Sequence, residues 1–138
     1  MPVLELLQQV NASAAFNRWC GMEVTQADSG SVELRLPWRA EMGQYSGLLH
    51  AGLAATVMET ASGFAAATQC GPQVLVTQFS VNCLRPAQGV AFVARARVIK
   101  AGKVQSFTQC DLFAVDAAGA EKLVANCQAV LAVGTTPA

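Results

Sequence analysis

One charged side chain lies in the long uncharged middle of this chain, and it constrains both the fold and the chemistry. Between Glu41 and Arg85 the only formally charged residue is Glu59, inside the alanine-rich run 48–68. Burying an unpaired carboxylate is expensive, so such a group is usually paired, neutralised by a raised pKa or retained for chemistry. The run therefore predicts a buried helix with a functional glutamate near its centre.

The low content of charge indicates that part of the surface is buried between subunits. Charged residues make up 13% of the 138-residue chain, against about 25% in an average soluble domain, and hydrophobic residues make up 53%. The net charge is zero and no dense Lys/Arg cluster is present, which argues against a nucleic-acid or membrane surface. We expect one domain that forms homo-oligomers.

The cysteines and the N-terminus favour a soluble protein of the reducing cytoplasm. The cysteines are odd in number and widely spaced: Cys20, Cys70, Cys83, Cys110 and Cys127. With His50 as the only histidine, no metal site is expected, and we interpret the cysteines as buried thiols. The first residues lack the basic start and apolar core of a signal peptide. The run 48–68 contains His50 and Glu59, which favours a buried helix over a membrane span.

The predicted elements are a short helix, a hairpin, a long helix and four long strands. Apolar residues at helical spacing predict a helix over 3–17, and alternation over 23–36 predicts the hairpin. The long helix covers 49–69 and ends at Gly71-Pro72. The strands, separated by turns, are expected to form an antiparallel meander: Gln73–Leu84, Val90–Lys100, Val104–Val115 and Lys122–Val133. One buried helix against one curved sheet is an economical α+β packing.

The long helix sorts its residues by size. Leu53, Val57 and Phe64 form a bulky stripe. A second stripe, of small residues, contains the glutamate: Gly52, Ala55, Glu59, Ser62 and Ala66. Small residues also suit close packing of a helix, but a glutamate at the centre of the stripe favours a cavity, which Phe64, Phe79 and Trp38 could line.

The start of the same helix offers hydrogen-bond donors. The helix is expected to begin at His50, which leaves the backbone N–H groups of Ala51, Gly52 and Leu53 unpaired. Such groups stabilise the oxyanion of an attacked carbonyl, and Gln44 could add a side-chain donor. This end of the helix therefore predicts an oxyanion site.

The spacing between the helix start and Glu59 predicts a site shared by two subunits. Glu59 could act as a general base toward water or as a nucleophile. It lies nine residues after His50, which corresponds to about 180° of rotation and roughly 13 Å along the axis. One chain's helix start and its own Glu59 therefore cannot easily flank one carbonyl. Two simpler interpretations stay open: His50 as a helix-start hydrogen-bonding residue, and Glu59 as the partner of a loop amide or of an arginine such as Arg85 or Arg95.

Three groups of residues carry a family resemblance. Gln44 is followed by His50-Ala51-Gly52 and Glu59, a later strand ends in Asn82-Cys83-Leu84-Arg85-Pro86-Ala87, and a turn reads Lys100-Ala101-Gly102-Lys103. Together they resemble the hotdog-fold acyl-CoA thioesterases, in particular the branch of phenylacetate-pathway and 4-hydroxybenzoyl-CoA thioesterases. The resemblance spans about residues 20–133 of a single domain, 1–138, whose residues 134–138 are expected to be frayed. It implies a curved antiparallel sheet wrapped around one long central helix, with a short N-terminal helix.

The resemblance also implies roles for the residues of the helix. Glu59 would be the catalytic carboxylate, and the backbone N–H of Ala51 would polarise the thioester carbonyl. Gln44 and His50 would position the carbonyl or hold the helix start, of which Gly52 is part. The family's sites lie at a dimer interface, so a homodimer is implied, with a dimer of dimers as the larger assembly.

The implied substrate is a small-molecule acyl-CoA, with no metal or redox cofactor. The candidate coenzyme contacts are Cys83, Arg85, Lys100 and Lys103, whose simpler interpretation is as solvated residues at strand ends. Two rival functions stay open. One is a hotdog dehydratase acting on 3-hydroxyacyl thioesters, and the other is a non-catalytic acyl-CoA-binding or sensing module.

The sequence departs from the family pattern at three positions. Ala51 replaces a glycine and would be strained if the backbone there needs a positive φ. Gly63 stands where relatives often carry a serine or threonine that holds the hydrolytic water, a role that Ser62 or Thr60 could take. Val76 stands where some relatives have a polar residue near the carboxylate. The choice between nucleophile and general base therefore stays open.

Overall fold

The computed structural model describes residues 1–134 and contains, within that range, three α-helices and one sheet of six strands. The helices are α1 (Val3–Ser13), α2 (Ala15–Cys20) and α3 (Ala51–Cys70). The strands are β1 (Glu23–Asp28), β2 (Ser31–Pro37), β3 (Val74–Cys83), β4 (Ala91–Ala101), β5 (Gln105–Val115) and β6 (Glu121–Val133). Residues 135–138 of the predicted frayed segment lie outside the described residues.

The six strands form an antiparallel sheet in the order β1-β2-β4-β5-β6-β3, and α3 lies across its inner face. Together with the short helix α1, this arrangement confirms the predicted α+β hotdog fold. None of the helices in residues 1–134 is both long and apolar enough to cross a bilayer.

The position of β3 corrects the predicted meander. Strands β4, β5 and β6 follow one another in the sheet, but β3 pairs with β6 instead of β4. The link after β3 crosses the ends of β6 and β5: the N–H of Leu84 donates to Val124 O (2.8 Å) and that of Val90 to Val115 O (2.8 Å). Three strand spacings amount to about 14 Å, which an extended link of a few residues can span. A short connection therefore did not require neighbouring strands.

The buried face of α3 is built mainly from alanine. Ala54, Ala61 and Ala65 are buried beside Val57 and Met58, and their small side chains let the helix axis approach the sheet closely. The predicted small-residue stripe is not one face. Its members divide between the buried side and the outer side: Ser62 and Ala66 are fully buried, Ala55 and Glu59 are half-buried, and Gly52 is exposed. Because nearly every residue of α3 is apolar or small, size alone did not reveal which side meets the sheet.

The single helix predicted over 3–17 is instead two helices that meet at Ala14. Ala14 has an extended backbone, with φ −89° and ψ 119°. Asn11, which is buried, donates from Nδ2 to Met22 O (2.8 Å), and Gln8 donates from Nε2 to Val24 O (3.1 Å). These bonds hold α1 along β1, and the chain bends at Ala14 to begin α2.

The cysteines divide by burial. Cys20, Cys110 and Cys127 are buried free thiols, as predicted. Cys70 is half-buried and Cys83 is exposed, so the prediction of burial is wrong for Cys83. Cys83 ends β3, an edge strand, and no further strand covers it within the described sheet.

Candidate active site

His50 caps the first turn of α3. Its Nδ1 accepts a hydrogen bond from the backbone N–H of Gly52 (2.9 Å), which satisfies one of the donors at the helix start. A Cβ on Gly52 would lie 3.0 Å from His50 Nδ1, so a glycine at this position makes room for the histidine ring. The structure therefore shows His50 as a helix-start hydrogen-bonding residue, which was one of the interpretations from the sequence.

One of the three backbone donors expected at the helix start is available. The N–H of Gly52 donates to His50 Nδ1 and the N–H of Leu53 donates to His50 O (3.0 Å), so the expectation is wrong for both. The N–H of Ala51 meets no acceptor among the described residues, and Ala51 is exposed. Its φ is not positive, so alanine fits this position without backbone strain. Ala51 is therefore the donor available to a ligand.

The loop that carries Gln44 folds against the residues just before α3. Gly43 and Leu49 form an antiparallel bridge, and the N–H of His50 donates to Met42 O (2.9 Å). The Oε1 of Gln44 accepts a hydrogen bond from the Ser46 N–H, which directs the amide and leaves its Nε2 as an available donor. Gln44, His50, Ala51 and Gly52 are thus brought together at one end of the helix: these are the predicted residues of the helix start.

Glu59 lies in the middle of α3, half-buried and without a hydrogen-bond or ion-pair partner among residues 1–134. Burial raises the pKa of its carboxyl group above the ordinary value of 4.5. The two arginines considered as partners bind elsewhere: Arg95 pairs with Glu33 and Glu121, and Arg85 donates to Leu123 O (2.9 Å). The interpretation of Glu59 as the partner of either arginine is therefore wrong.

The carboxylate opens into an apolar groove of about 530 Å³ between α1 and the outer side of α3. Its polar members are Asn17, Glu59, Thr60 and Thr68. The remaining lining residues are apolar or glycine: Val3, Leu6, Leu7, Val10, Gly63, Phe64, Ala67, Pro72 and Val74. A mostly apolar groove with a few polar groups is the usual form of a small-molecule site.

The groove clarifies which residues accompany Glu59. Of the aromatic residues considered, Phe64 lines it, whereas Trp38 packs against Phe92 and Phe79 lies on β3. Of the two hydroxyl residues considered near Gly63, Thr60 lines the groove and Ser62 is fully buried on the sheet side.

The helix geometry keeps the two halves of the candidate site apart within one chain. Because α3 is a continuous helix from Ala51 onward, Glu59 lies eight residues, or about 12 Å, from Ala51 along the axis. The separation inferred from the sequence therefore holds in the structure.

A family model matches the part of the chain that contains the start of α3 and Glu59. The chain matches the model of the thioesterase superfamily over residues 46–120, more than half of its length. The chain belongs to the thioesterase superfamily. Membership supports thioester hydrolysis as the general class of reaction, and it confirms the predicted family resemblance.

Solved structures share the fold of this superfamily member over nearly its whole length. A thioesterase family protein from Silicibacter pomeroyi superimposes with a TM-score of 0.89 at 30% identity, covering 96% of this chain and 100% of the other. The PaaI protein from the phenylacetic acid degradation operon of E. coli superimposes with a TM-score of 0.83, covering 96% of this chain and 94% of the other. At 17% identity, that second likeness shows the fold alone.

A curated relative of this superfamily member comes from Halobacterium salinarum and is named as a candidate esterase. It is 33% identical over 89 residues, which correspond to 59% of this chain and 58% of that protein. The chain therefore matches little more than half the length of this relative.

The four candidate coenzyme contacts of this superfamily member fall into two separate groups. Cys83 and Arg85 lie where β3 ends and β6 begins, at the end of the sheet near the start of α3. Lys100 and Lys103 lie around the turn from β4 to β5, beside the last residue of β6. The part of β6 from Val124 to Val133 separates the groups by roughly 30 Å, so one chain does not bring all four together.

The part of the candidate site that sequence reasoning missed is the wall contributed by α1 and α2. Val3, Leu6, Leu7 and Val10 line the groove, as does Asn17 of α2. The apolar spacing predicted a helix here, but nothing in the spacing indicates that its exposed apolar side chains face α3. Two of them remain about half exposed, Leu6 at 48% and Val10 at 46%, which is a signal of an unfilled binding groove.

Proposed function

We propose that this thioesterase-superfamily member hydrolyses an acyl-CoA thioester to the free acid and CoA, with no metal or redox cofactor. The carrying observation is Glu59, a half-buried carboxylate without a donor among the described residues, at the wall of an apolar groove. A carboxylate with no internal partner is able to accept a proton from water, and an apolar groove suits an acyl chain.

Glu59 and Ala51 have separate roles in the proposed hydrolysis. In the general-base route, Glu59 accepts a proton from water as the water oxygen bonds to the thioester carbon. The resulting oxyanion is stabilised by the N–H of Ala51 and the side-chain amide of Gln44. Collapse of the intermediate breaks the C–S bond, and the protonated Glu59 returns the proton to the CoA thiolate. In the nucleophilic route, Glu59 attacks the carbonyl carbon, and the C–S bond breaks to release the CoA thiolate and leave a mixed anhydride. Water then hydrolyses the anhydride, which releases the acid and regenerates the Glu59 carboxylate, and the proton lost by the water balances the thiolate.

The site combines two subunits of a homodimer, with a dimer of dimers as the larger assembly. The separation of Ala51 from Glu59 within one helix supports this arrangement. So does the free edge of the sheet at β3, where Leu75 is 72% exposed and Phe79 is 41% exposed. An edge strand with exposed apolar side chains is a favourable surface for pairing with a second chain.

Two-fold pairing of β3 would also reunite the coenzyme contacts. Antiparallel pairing of two β3 strands places the beginning of one beside the end of the other. The group of Cys83 and Arg85 from one subunit would then lie at the same end as the group of Lys100 and Lys103 from its partner. Two cationic groups at one end suit the phosphates of CoA.

The pH dependence of hydrolysis provides a first quantitative prediction. Glu59 must be ionised to accept a proton, and burial raises its pKa above 4.5. We expect kcat/KM to fall as the pH decreases through this raised pKa, so the acid limb should have its midpoint above pH 4.5. A pH profile with an acyl-CoA measures it, and a limb centred at or below pH 4.5 would contradict an unpaired, desolvated base.

A panel of acyl-CoAs tests the proposed function. The purified protein should release free thiol from straight-chain or aromatic acyl-CoAs, with a no-substrate control because Cys83 is itself exposed. Conversion of a 3-hydroxyacyl-CoA to its enoyl product without thiol release would instead identify a dehydratase. Saturable binding with no product of either kind would identify a binding or sensing module and would contradict hydrolysis.

A further inference from the structure

In the general-base route, a second acceptor besides Glu59 would fix the orientation of the hydrolytic water, and position 63 carries no side chain that could supply one. Gly63, one turn after Glu59, lines the groove, and a Cβ built on it would meet nothing within 4 Å. The hydroxyl of Thr60 donates to Thr56 O (2.8 Å) and is held against the backbone of its own helix, and Ser62 is buried on the sheet side. The other polar groups in the groove are Asn17 and Thr68.

The amide of Asn17 has a fixed orientation. Its Nδ2 donates to Asn11 Oδ1 (3.0 Å), and Asn11, only 8% exposed, donates from Nδ2 to the carbonyl oxygen of Met22 (2.8 Å). This chain of bonds assigns which side of each amide is oxygen. No donor among residues 1–134 reaches Asn17 Oδ1, so Asn17, which lines the mostly apolar groove, has an oriented acceptor that is unpaired.

The packing of α1 places Asn17 at the same end of the groove as Glu59. The bonds of Gln8 to Val24 and of Asn11 to Met22 show that α1 runs antiparallel to β1. The N–H of Gly30, in the turn after β1, donates to Thr68 Oγ1 (2.7 Å), so the start of α1 lies toward Thr68. The end of α1, with Val10, therefore lies toward the other end of the lining of α3, and Asn17 of α2 lies there too because it bonds to Asn11. Glu59 is at that end, about 13 Å from Thr68 along the helix.

We propose that Asn17 is a positioning residue that holds the hydrolytic water for Glu59. The inference rests on the proposed hydrolysis and on its general-base route. One O–H of the water donates to Asn17 Oδ1 and the other donates to Glu59. A lone pair of the water oxygen then faces the thioester carbon. When the new C–O bond forms, the proton on the Glu59 side moves to that carboxylate, and the proton on the Asn17 side stays on the product acid until it ionises.

The test compares Asn17→Ala with the wild type on octanoyl-CoA, whose acyl chain has no hydrogen-bonding group. We expect kcat to fall about tenfold with little change in KM, because the lost bond orients water and does not bind the acyl chain. Gly63→Ser in the Asn17→Ala background should restore kcat, since the open space at position 63 accepts a side chain and a hydroxyl there supplies a new acceptor. A purely structural role of Asn17 would not be rescued from a different helix.

Two further variants keep the result interpretable. Asn17→Leu preserves the side-chain volume and repeats the measurement if the alanine variant is unstable. Asn126→Ala breaks the matched Asn82–Asn126 bond (2.9 Å) on an exposed part of the sheet, and its kcat should equal that of the wild type.

Each outcome supports or overturns the role of Asn17. A tenfold loss rescued by the serine supports it. Unchanged kcat, a loss that Gly63→Ser leaves in place, or a loss confined to hydroxylated acyl groups overturns it, the last because Asn17 would then contact substrate. If the wild type releases no thiol, the proposed hydrolysis itself fails. If the wild type is active and only the Asn17 results disagree, the inference alone fails.

Discussion

Replacing Glu59 with glutamine should lower kcat for acyl-CoA hydrolysis by about 10²- to 10⁴-fold, the range associated with loss of a general base. Glutamine keeps the size of the side chain but cannot accept the proton of the attacking water. Release of CoA measured by thiol titration under saturating substrate gives kcat directly. Glu23→Gln is the matched control, because Glu23 is an exposed glutamate at the start of β1 and outside the groove, and its kcat should match that of the wild type.

The stability of Glu59→Gln separates lost chemistry from lost folding. Burial raises the pKa of Glu59 in the folded protein above 4.5, so ionisation is harder in the folded than in the unfolded chain. Wild-type stability should therefore decrease as the pH rises from 4.5 through the raised pKa, and the glutamine variant should lack this decrease. Above that window the variant should unfold at a temperature no lower than the wild type. Wild-type turnover by the variant would contradict the assigned role of Glu59.

Replacing Ala51 with proline should lower kcat by about 10²- to 10³-fold, the range associated with loss of one oxyanion donor. Proline removes the one backbone N–H at the helix start that has no acceptor among the described residues. The substitution suits the fold because Ala51 is the first residue of α3, a position that proline favours. His50 already has φ −60° and ψ 131°, the extended conformation required of a residue before proline.

The controls for Ala51→Pro are a second substitution and a melting curve. Ala51→Gly retains the N–H, and its kcat should stay within a few-fold of the wild type. The proline variant should unfold close to the wild-type temperature, because no internal hydrogen bond is lost. Hydrolysis at the wild-type rate by a folded proline variant would show that the oxyanion donor lies elsewhere.

The residues of the helix start and Glu59 could be predicted because their signals are local. A lone carboxylate in an uncharged run, and His50-Ala51-Gly52 at the start of an alanine-rich helix, are visible in a few consecutive residues. Which N–H remained free could not be predicted. That depends on the His50 ring turning back onto Gly52, a matter of side-chain geometry.

The parts of the fold that escaped prediction depend on contacts distant in sequence. The pairing of β3 with β6 instead of β4 joins segments about fifty residues apart, and the turn-like link after β3 gave no sign of it. The same holds for the groove. Val10 and Asn17 line it together with Glu59 because α1 packs along β1. The spacing of apolar residues and the composition of turns predict single helices and strands. Which face of a helix or strand is buried depends on the elements that pack against it.

Three observations made on one chain support the proposed division of the site between subunits. Ala51 and Glu59 are separated along a single rigid helix, the coenzyme contacts lie at opposite ends of the sheet, and the β3 edge carries exposed apolar side chains. A two-fold axis at that edge satisfies all three. In the proposed mechanism a dimer is therefore a condition of catalysis, because Ala51 and Glu59 of one subunit are too far apart to flank one carbonyl.

Mixed dimers of the two inactive variants test this central claim most directly. Chains carrying Glu59→Gln and chains carrying Ala51→Pro are co-expressed with different affinity tags, and assemblies that retain both tags are purified. If Glu59 of one subunit works with Ala51 of its partner, one of the two sites in each mixed dimer is intact, and about half of the wild-type activity per dimer should return. If both groups act within one chain, no mixed dimer contains an intact site. Mixed dimers as inactive as the two parent variants would contradict the shared site.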